Sequence, residues 1–398
     1  MRIDGAPIHL RLDELYEIGA EPTGGAYRPL YGDAWATAVE RVERWMKDAG
    51  LTTHRDAVGN LWGRAEGHDK GKAVVTGSHI DTVRRGGRLD GALGIVAGLT
   101  AVETLLTTKG KPRRALEVVA ICEEEGSRFN TNFWGSRAIT GAIGTVVPEI
   151  AAAMRERGLD PATVATAARD DIDTFVELHI EQGAVLDASR QPLAVVSAIV
   201  GTAHLEVTVT GRADHAGTTP MELRHDALAG GAAMIQAVES IARSLGSPAV
   251  ATVGKVRTEP DQINVVPGRV VFTIDVRHAD LGARRALEER IRSLCATIAS
   301  ERGLALDMRL LQERAPVPMD PGLRALLARA AKEAGVRTTE LVSGAGHDAQ
   351  VLAVKCKVGM LFVPSIGGRS HCPEENTSPE HLELGTKVLT KALELLAF

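Results

Sequence analysis

Between Thr76 and Gly91 the chain reads TGSHIDTVRRGGRLDG. An imidazole, His79, is followed two residues on by Asp81 and, after a glycine-containing loop, by Asp90. A neutral imidazole and a carboxylate from one loop are half of the ligands that a divalent cation needs. Asp81 is spaced to hold the far ring nitrogen of His79 and so decide which nitrogen faces a metal. The bland alternative is that these side chains are merely solvated, as loop His and Asp usually are. Three adjacent carboxylates, Glu123-Glu124-Glu125, repel one another, and a nearby cation relieves that repulsion. Their bland alternative is an acidic surface loop or a helix N-terminus, where Glu is welcome. His179 in LHIEQG and His371 in GGRSH stand in similar places. Each taken singly is more simply a structural histidine.

What must position these groups is a set of buried strands. Ala73-Val74-Val75 precedes His79, LEVVAIC precedes Glu123, FVELH ends at His179, and VGMLFVP precedes the loop to His371. Runs that are apolar at nearly every residue are strands covered on both faces. The segment after Asp90, ALGIVAGLTAVETLL, reads as a helix, so strand, helix and strand here predict a βαβ unit. In a parallel sheet the carboxyl ends of the strands share one edge, where α/β enzymes place their chemistry. His79 with Asp90, Glu125, His179 and His371 can therefore converge. Imidazole and carboxylate without thiolate suit Zn²⁺, Mn²⁺ or Co²⁺ in an open, catalytic site. GALGIVAG lacks the dinucleotide-binding spacing and reads as a helix packed closely on the sheet. Asp33 opens an amphipathic helix that Gly50 stops, and short strand-like pieces follow at Leu51-Thr53 and Asn60-Gly63.

The pattern changes near Gly201. HLEVTVTG alternates apolar and polar residues, the mark of an antiparallel sheet with one wet face. A helix, two strands (AVATVGKV and RVVFTIDVR), a second helix and a strand LALDMRLL follow. This β-α-β-β-α-β order is the split βαβ, ferredoxin-like arrangement. The expected architecture is α/β: a catalytic domain over residues 1–200 and 320–398, with a mixed, largely parallel sheet flanked by helices, and an inserted α+β domain over 201–319. The insert has its own polar residues: His215 in RADHAG, Asn264 in DQINVVPG, and Arg277, placed with Thr273 and Asp275 on one face of its strand. Arg277 can grip a carboxylate in bidentate fashion, although each of the three is equally an ordinary surface residue.

Composition narrows the rest. In 398 residues, 44% apolar, the chain can bury a sizeable core, and 41 glycines with 3% aromatics suit small-residue packing of helix on sheet. A net charge of -5 and no basic run with interleaved aromatics give no sign of nucleic acid. MRIDGAPIHL lacks a signal-peptide pattern, and no apolar stretch of about 18 residues stands out, so a soluble, cytoplasmic protein is expected without a membrane. Cys122, Cys295, Cys356 and Cys372 form no C-x-x-C pair and are read as reduced, with Cys122 and Cys372 as small buried apolar side chains.

The blocks GSHIDTV, GGRLDG, EEEGSRF, FVELHIEQG, HAGTTPM, INVVPG, DVRH, SGAGHDA and SHCPEE, in that order, closely resemble the M20-type metallohydrolases of the hydantoinase/carbamoylase branch, which includes allantoate amidohydrolases and N-carbamoyl-L-amino-acid hydrolases. The resemblance runs almost end to end. It implies two divalent metal ions per subunit, Zn²⁺ or Mn²⁺ with Co²⁺ an option, bridged by Asp90. One ion is then also held by His79 and His179, the other by Glu125 and His371. Glu124 becomes the general base, Glu123 a bystander, and Asp81 the residue that orients His79. His215, Asn264 and Arg277 become substrate contacts, His215 and Asn264 reaching across a homodimer formed through the inserted lid domain, and Gln182 a contact from within the subunit. The expected substrate is a small ureido compound bearing a carboxylate. EEEGSRF followed by FWGSRAITG, and the GG-x-x-R-x-L-Y stretch from Gly24 to Tyr31, resemble the allantoate enzymes more. N-carbamoyl-L-amino acids or ureidoglycolate are the alternatives. An aminoacylase or dipeptidase of the same family is disfavoured by His179, where such relatives often carry a carboxylate. An inactive binding protein is disfavoured by the intact ligand set.

Overall fold

Seven consecutive residues, Ala73–His79, are all buried in one strand, and that strand lies at the centre of the larger sheet. The computed structural model describes residues 5–398; the first four residues of the N-terminal stretch read for a signal peptide lie outside the described residues. Apart from short 3-10 turns, the elements in chain order are α1 (Ala6–Glu17), α2 (Asp33–Asp48), β1 (Thr52–Arg55), β2 (Leu61–Ala65), β3 (Ala73–His79), α3 (Ala92–Lys109), β4 (Leu116–Ile121), α4 (Trp134–Ile139), α5 (Pro148–Glu156), β5 (Ile172–Ile180), α6 (Val185–Ser189) and β6 (Ala194–Ile199). They continue as β7 (Gly201–Thr210), β8 (Asp214–His215), α7 (Ala227–Leu245), β9 (Val250–Glu259), β10 (Val265–Val266), β11 (Arg269–His278), α8 (Leu281–Glu301), β12 (Ala305–Arg314) and β13 (Val317–Pro318). The chain closes with α9 (Pro321–Glu333), β14 (Thr339–Ser343), α10 (Asp348–Leu352), β15 (Lys357–Val363) and α11 (Pro379–Ala397). It divides into two units, one running to Ser197 and resuming as Met319–Phe398, the other Ala198–Pro318.

In the first unit the strands lie in the order β1-β2-β4-β3-β5-β15-β6. The central four, β4, β3, β5 and β15, are parallel, and the flanking pairs are antiparallel. Residues 79, 122 and 180 therefore leave the sheet at one edge, as does the loop after Val363. Helix α3 packs on β3 and β5 through its glycines: a Cβ at Gly94 would meet Ser78 Cβ at 2.5 Å, and one at Gly98 would meet Thr76 Cγ2 at 3.0 Å. The Gly-rich segment after Asp90 is the expected close-packing helix. Against expectation, the chain does contain an apolar stretch of 18 residues. Helix α3, 18 residues long with mean hydropathy 1.2, is long and apolar enough to cross a membrane, yet 67% of that window is buried inside the protein. A helix at the centre of a core is apolar all round, and its interspersed Gly and Thr mask the run in the sequence.

The second unit is a four-stranded antiparallel sheet in the order β12-β7-β11-β9. Leu205, Val207 and Val209 of β7 and Val270, Phe272, Ile274 and Val276 of β11 are buried in one cluster with Met234 and Val238 of α7 and Leu287 and Ile291 of α8. The alternate residues, among them His204, Glu206, Asp275 and Arg277, are only partly buried and belong to the other face.

Candidate metal centre

His79 is the last residue of β3, and Gly91 is what lets its ring seat. Gly91 has φ 68°, and a Cβ there would run into the His79 carbonyl and imidazole. Asp90 reaches the same point from the loop before α3. Glu124 and Glu125 follow β4, His179 is near the end of β5, and His371, with φ 56°, comes from the loop after β15.

The side chains meet around Asp90. His79 Nε2 lies 3.3 Å and His179 Nε2 3.2 Å from Asp90 Oδ1. His371 Nε2 lies 3.1 Å from Asp90 Oδ2 and 3.3 Å from Glu125 Oε1. Donor atoms of His79, Asp90 and His179 form one group within 4.8 Å, and those of Asp90, Glu125 and His371 form another. A third group, His79 with Glu124 and Glu125, overlaps both. Asp81 braces the arrangement: its Oδ1 lies 3.2 Å from His79 Nδ1, and its two oxygens accept from the amides of Glu124 (3.0 Å) and Glu125 (3.2 Å). His179 Nδ1 is 2.9 Å from the Ile180 carbonyl, which can only accept, so the proton sits on Nδ1 and the lone pair on Nε2. The acidic run is no surface loop, since Glu123 and Glu124 are buried.

These residues fit a pair of divalent cations. His179 Nε2 is buried with no hydrogen-bond partner among the described residues. The imidazole–carboxylate separations of 3.1 to 3.3 Å are longer than charge-assisted hydrogen bonds and near the roughly 3.4 Å that separates donors on a tetrahedral ion with ~2.1 Å bonds. All the donors are the imidazole nitrogens and carboxylate oxygens that borderline and hard cations take.

Without cations, protons do the neutralising. Burial, then the Asp90 charge, pushes Glu125 up to about 7. Burial, then the Glu177 charge, pushes Asp348 to about 8. Burial, then Asp81, pushes Glu123 to about 9. Glu124 is raised well above the carboxylate range by burial and then by Glu125. A hydrogen bond to Asp90 raises His371 to about 9. The sign is common to all of them. A group whose folded pKa lies above its unfolded value stabilises fully below the unfolded pKa and loses that stabilisation as pH rises through the folded value. Chelator-treated protein is therefore expected to melt at progressively lower temperature between about pH 6 and 9, while added Zn²⁺ or Mn²⁺ flattens the trend. A melt temperature of the metal-free protein that holds level or climbs over that interval would contradict the burial argument.

The other expected residues have different surroundings. Gln182, with φ 58°, donates its amide to Asp90 Oδ2 at 2.8 Å. In the second unit, His215 is exposed and its Nδ1 accepts from the amides of Gly217 (3.0 Å) and Thr218 (3.2 Å), which leaves the proton on Nε2. The Asn264 carbonyl accepts from the amide of Ala216 at 3.0 Å, so the two loops are joined. Arg277 is held by Asp275 two residues before it, with Nη2 at 2.7 Å from Oδ2. Arg277 pairs with Thr202 across β7, whereas Thr210, nearest to His215, pairs with Arg269. Those rungs are roughly 26 Å apart along the strand, so Arg277 and the His215 loop leave opposite ends of the sheet. Among the cysteines, all free, Cys122 is buried as expected, but Cys372 is only half-buried, with Sγ 3.4 Å from Arg369 Nε.

Of the buried polar residues with no expected role, three stand beside the site. His347 packs edge-on against His179, ring centroids 4.6 Å apart, with Nε2 2.9 Å from Ser343 Oγ. Arg28, brought down to about 10 by burial, donates to the carbonyls of Ile80 (3.0 Å) and Leu15 (2.8 Å) and so pins the chain next to Asp81. Glu375 contacts the backbone of Asp90. Each lies in or beside a block already singled out: SGAGHDA, GG-x-x-R and SHCPEE.

Comparison with known proteins gives a consistent picture. The model of peptidase family M20/M25/M40 matches residues 75–395. The chain is 40% identical over 397 residues to the allantoate amidohydrolase of Bacillus subtilis, covering 97% of this chain and 96% of that one. It is 39% identical over 406 residues to the N-carbamoyl-L-amino acid amidohydrolase of Geobacillus stearothermophilus, covering 99% of both. A solved amidase of the hydantoinase/carbamoylase family from Burkholderia multivorans superposes with a TM-score of 0.93 at 34% identity, covering 100% of this chain and 98% of that one.

Proposed function

The chain belongs to peptidase family M20/M25/M40, and from that premise we propose that it is a two-metal amidohydrolase cleaving a ureido C–N bond, with allantoate as substrate and ureidoglycine, ammonia and CO₂ as products. The observation that carries this reading is the meeting of two ligand groups on one carboxylate, Asp90, with Glu124 beside them. Zn²⁺ or Mn²⁺ are the metals that the donor set suits, and the four free cysteines agree with a cytoplasmic setting.

His79, Asp90 and His179 would hold one cation, and Asp90, Glu125 and His371 the other. When bound, such a pair polarises a poor electrophile and makes water acidic enough to attack at neutral pH. Glu124 takes the proton of the attacking water and returns it to the leaving nitrogen. It can ionise for this only where positive charge replaces the protons on its neighbours. Asp81 keeps His79 in one tautomer. His215, with its proton on Nε2, donates to the carbonyl oxygen as negative charge develops there. Arg277 anchors the substrate carboxylate, exchanging Asp275 for it, and Asn264 and Gln182 complete the contacts. A small substrate cannot touch Arg277 and His215 of one chain if those residues leave opposite ends of one sheet. That supports a homodimer in which His215 and Asn264 act across the subunit boundary.

A second reading is N-carbamoyl-L-amino-acid hydrolysis, favoured by a relative of that name almost as similar as the allantoate one. An ammonia-release assay of metal-loaded protein on allantoate, ureidoglycolate, N-carbamoyl amino acids and a dipeptide separates the two. Allantoate is expected to give the highest kcat/KM. Turnover of carbamoyl amino acids without turnover of allantoate would transfer the assignment.

A further inference from the structure

Glu375 belongs to neither ligand group, yet both of its oxygens are committed to residues that do or that adjoin them. The side chain is buried, with 4% exposure. Oε1 accepts from the backbone amides of Leu89 (2.8 Å) and Asp90 (3.0 Å). Oε2 accepts from the Ser370 hydroxyl at 2.8 Å, and that hydroxyl also lies 3.3 Å from Asp90 Oδ2. Ser370 is the residue before His371. On the Asp90 side, Gly87 has no room for a Cβ because the Glu375 carboxylate occupies its place. On the His371 side, the loop is closed at its base by Thr377 Oγ1 donating to the Pro364 carbonyl (2.7 Å) and by the Ile366 amide donating to the Asn376 carbonyl (2.9 Å). His371 itself has φ 56°, a conformation that a residue with a side chain keeps only where its surroundings hold it.

From this geometry we infer that Glu375 is a positioning residue, a single buried carboxylate that ties the loop carrying Asp90 to the loop carrying His371 and so sets the spacing of two metal ligands far apart in the chain. The inference rests on the reading of Asp90 and His371 as ligands. A carboxylate suits this task because one oxygen can accept from two adjacent amides while the other takes a hydroxyl proton. Groups that orient metal ligands in this way typically govern affinity by about 10- to 100-fold.

The test is a Zn²⁺ titration of metal-free protein against a chromophoric chelator, with the melt of each metal-free variant measured alongside. Glu375→Gln keeps an oxygen for the two amides and presents an NH₂ to the Ser370 oxygen, so it should bind zinc close to wild type. Glu375→Ala should lose roughly 10- to 100-fold at the weaker site while its metal-free melt shifts much less than its zinc-bound melt. If Glu375→Ala does not fold, Glu375→Asp replaces it; the charge stays, but the side chain is one methylene too short to span both loops, and the same loss is expected. Wild-type affinity in the Ala or Asp variant overturns the inference. So does a Gln variant that falls as far as Ala, since charge rather than span would then be at work. Wild-type protein that binds no zinc would instead overturn the metal reading beneath it.

Discussion

Glu124→Gln is expected to lower kcat by about three orders of magnitude while both cations remain bound and KM changes little. Glu124 is buried, its amide is held by Asp81 Oδ1, and it joins the overlapping group with His79 and Glu125 without being needed by either complete ligand set. Gln matches Glu in size and keeps one carbonyl oxygen, but it cannot carry a proton from water to a leaving nitrogen. Removing the like charge beside Glu125 should, if anything, ease ionisation of that ligand. Metal content by mass spectrometry and steady-state rates decide the matter together. A variant that keeps both ions and most of its turnover would show that another group moves the proton.

Asp90→Ala is expected to abolish turnover by a different route, with metal content falling from about two ions per subunit to well below one. Asp90 is the one residue common to both ligand sets. Its Oδ1 faces His79 and His179, and its Oδ2 faces His371. Without it His79 and His179 lose the carboxylate they share, and His371 is left facing Glu125 alone. Glu125→Ala is the control, because the His79, Asp90 and His179 group stays whole and one tight ion should persist. Two ions retained by Asp90→Ala would mean that the carboxylate does not bridge.

Much of this site was legible because its supports are local. The runs before His79, Glu123 and His371 are mostly apolar strands, and a parallel arrangement of such strands leaves their ends on one edge. Strict alternation in β7 and β11 placed Asp275 and Arg277 on the same face, although their pairing was not anticipated. Glu375, Arg28 and His347 were not legible for one physical reason. Besides nearby hydroxyls (Ser343 for His347, Ser370 for Glu375), the partners that bring them to the site are backbone carbonyls, amides or a ring from distant segments, and no spacing rule connects Glu375 to the amide of Asp90. Helix α1 is a different kind of miss, since Ile8, Leu12 and Leu15 stand at helical spacing and are buried. Strand β6 escaped because its apolar run, AVVSAI, abuts β7 and hides the break between them.

The separation of Arg277 from the His215 loop has a genetic corollary. Under the homodimer proposed above, Arg277→Ala and His215→Ala should each silence the enzyme, but mixed and reassorted they need not stay silent. In a hybrid dimer one reaction centre inherits both lesions and the other inherits none. Random exchange of subunits makes half the dimers hybrids, so about a quarter of wild-type activity should reappear from two dead parents.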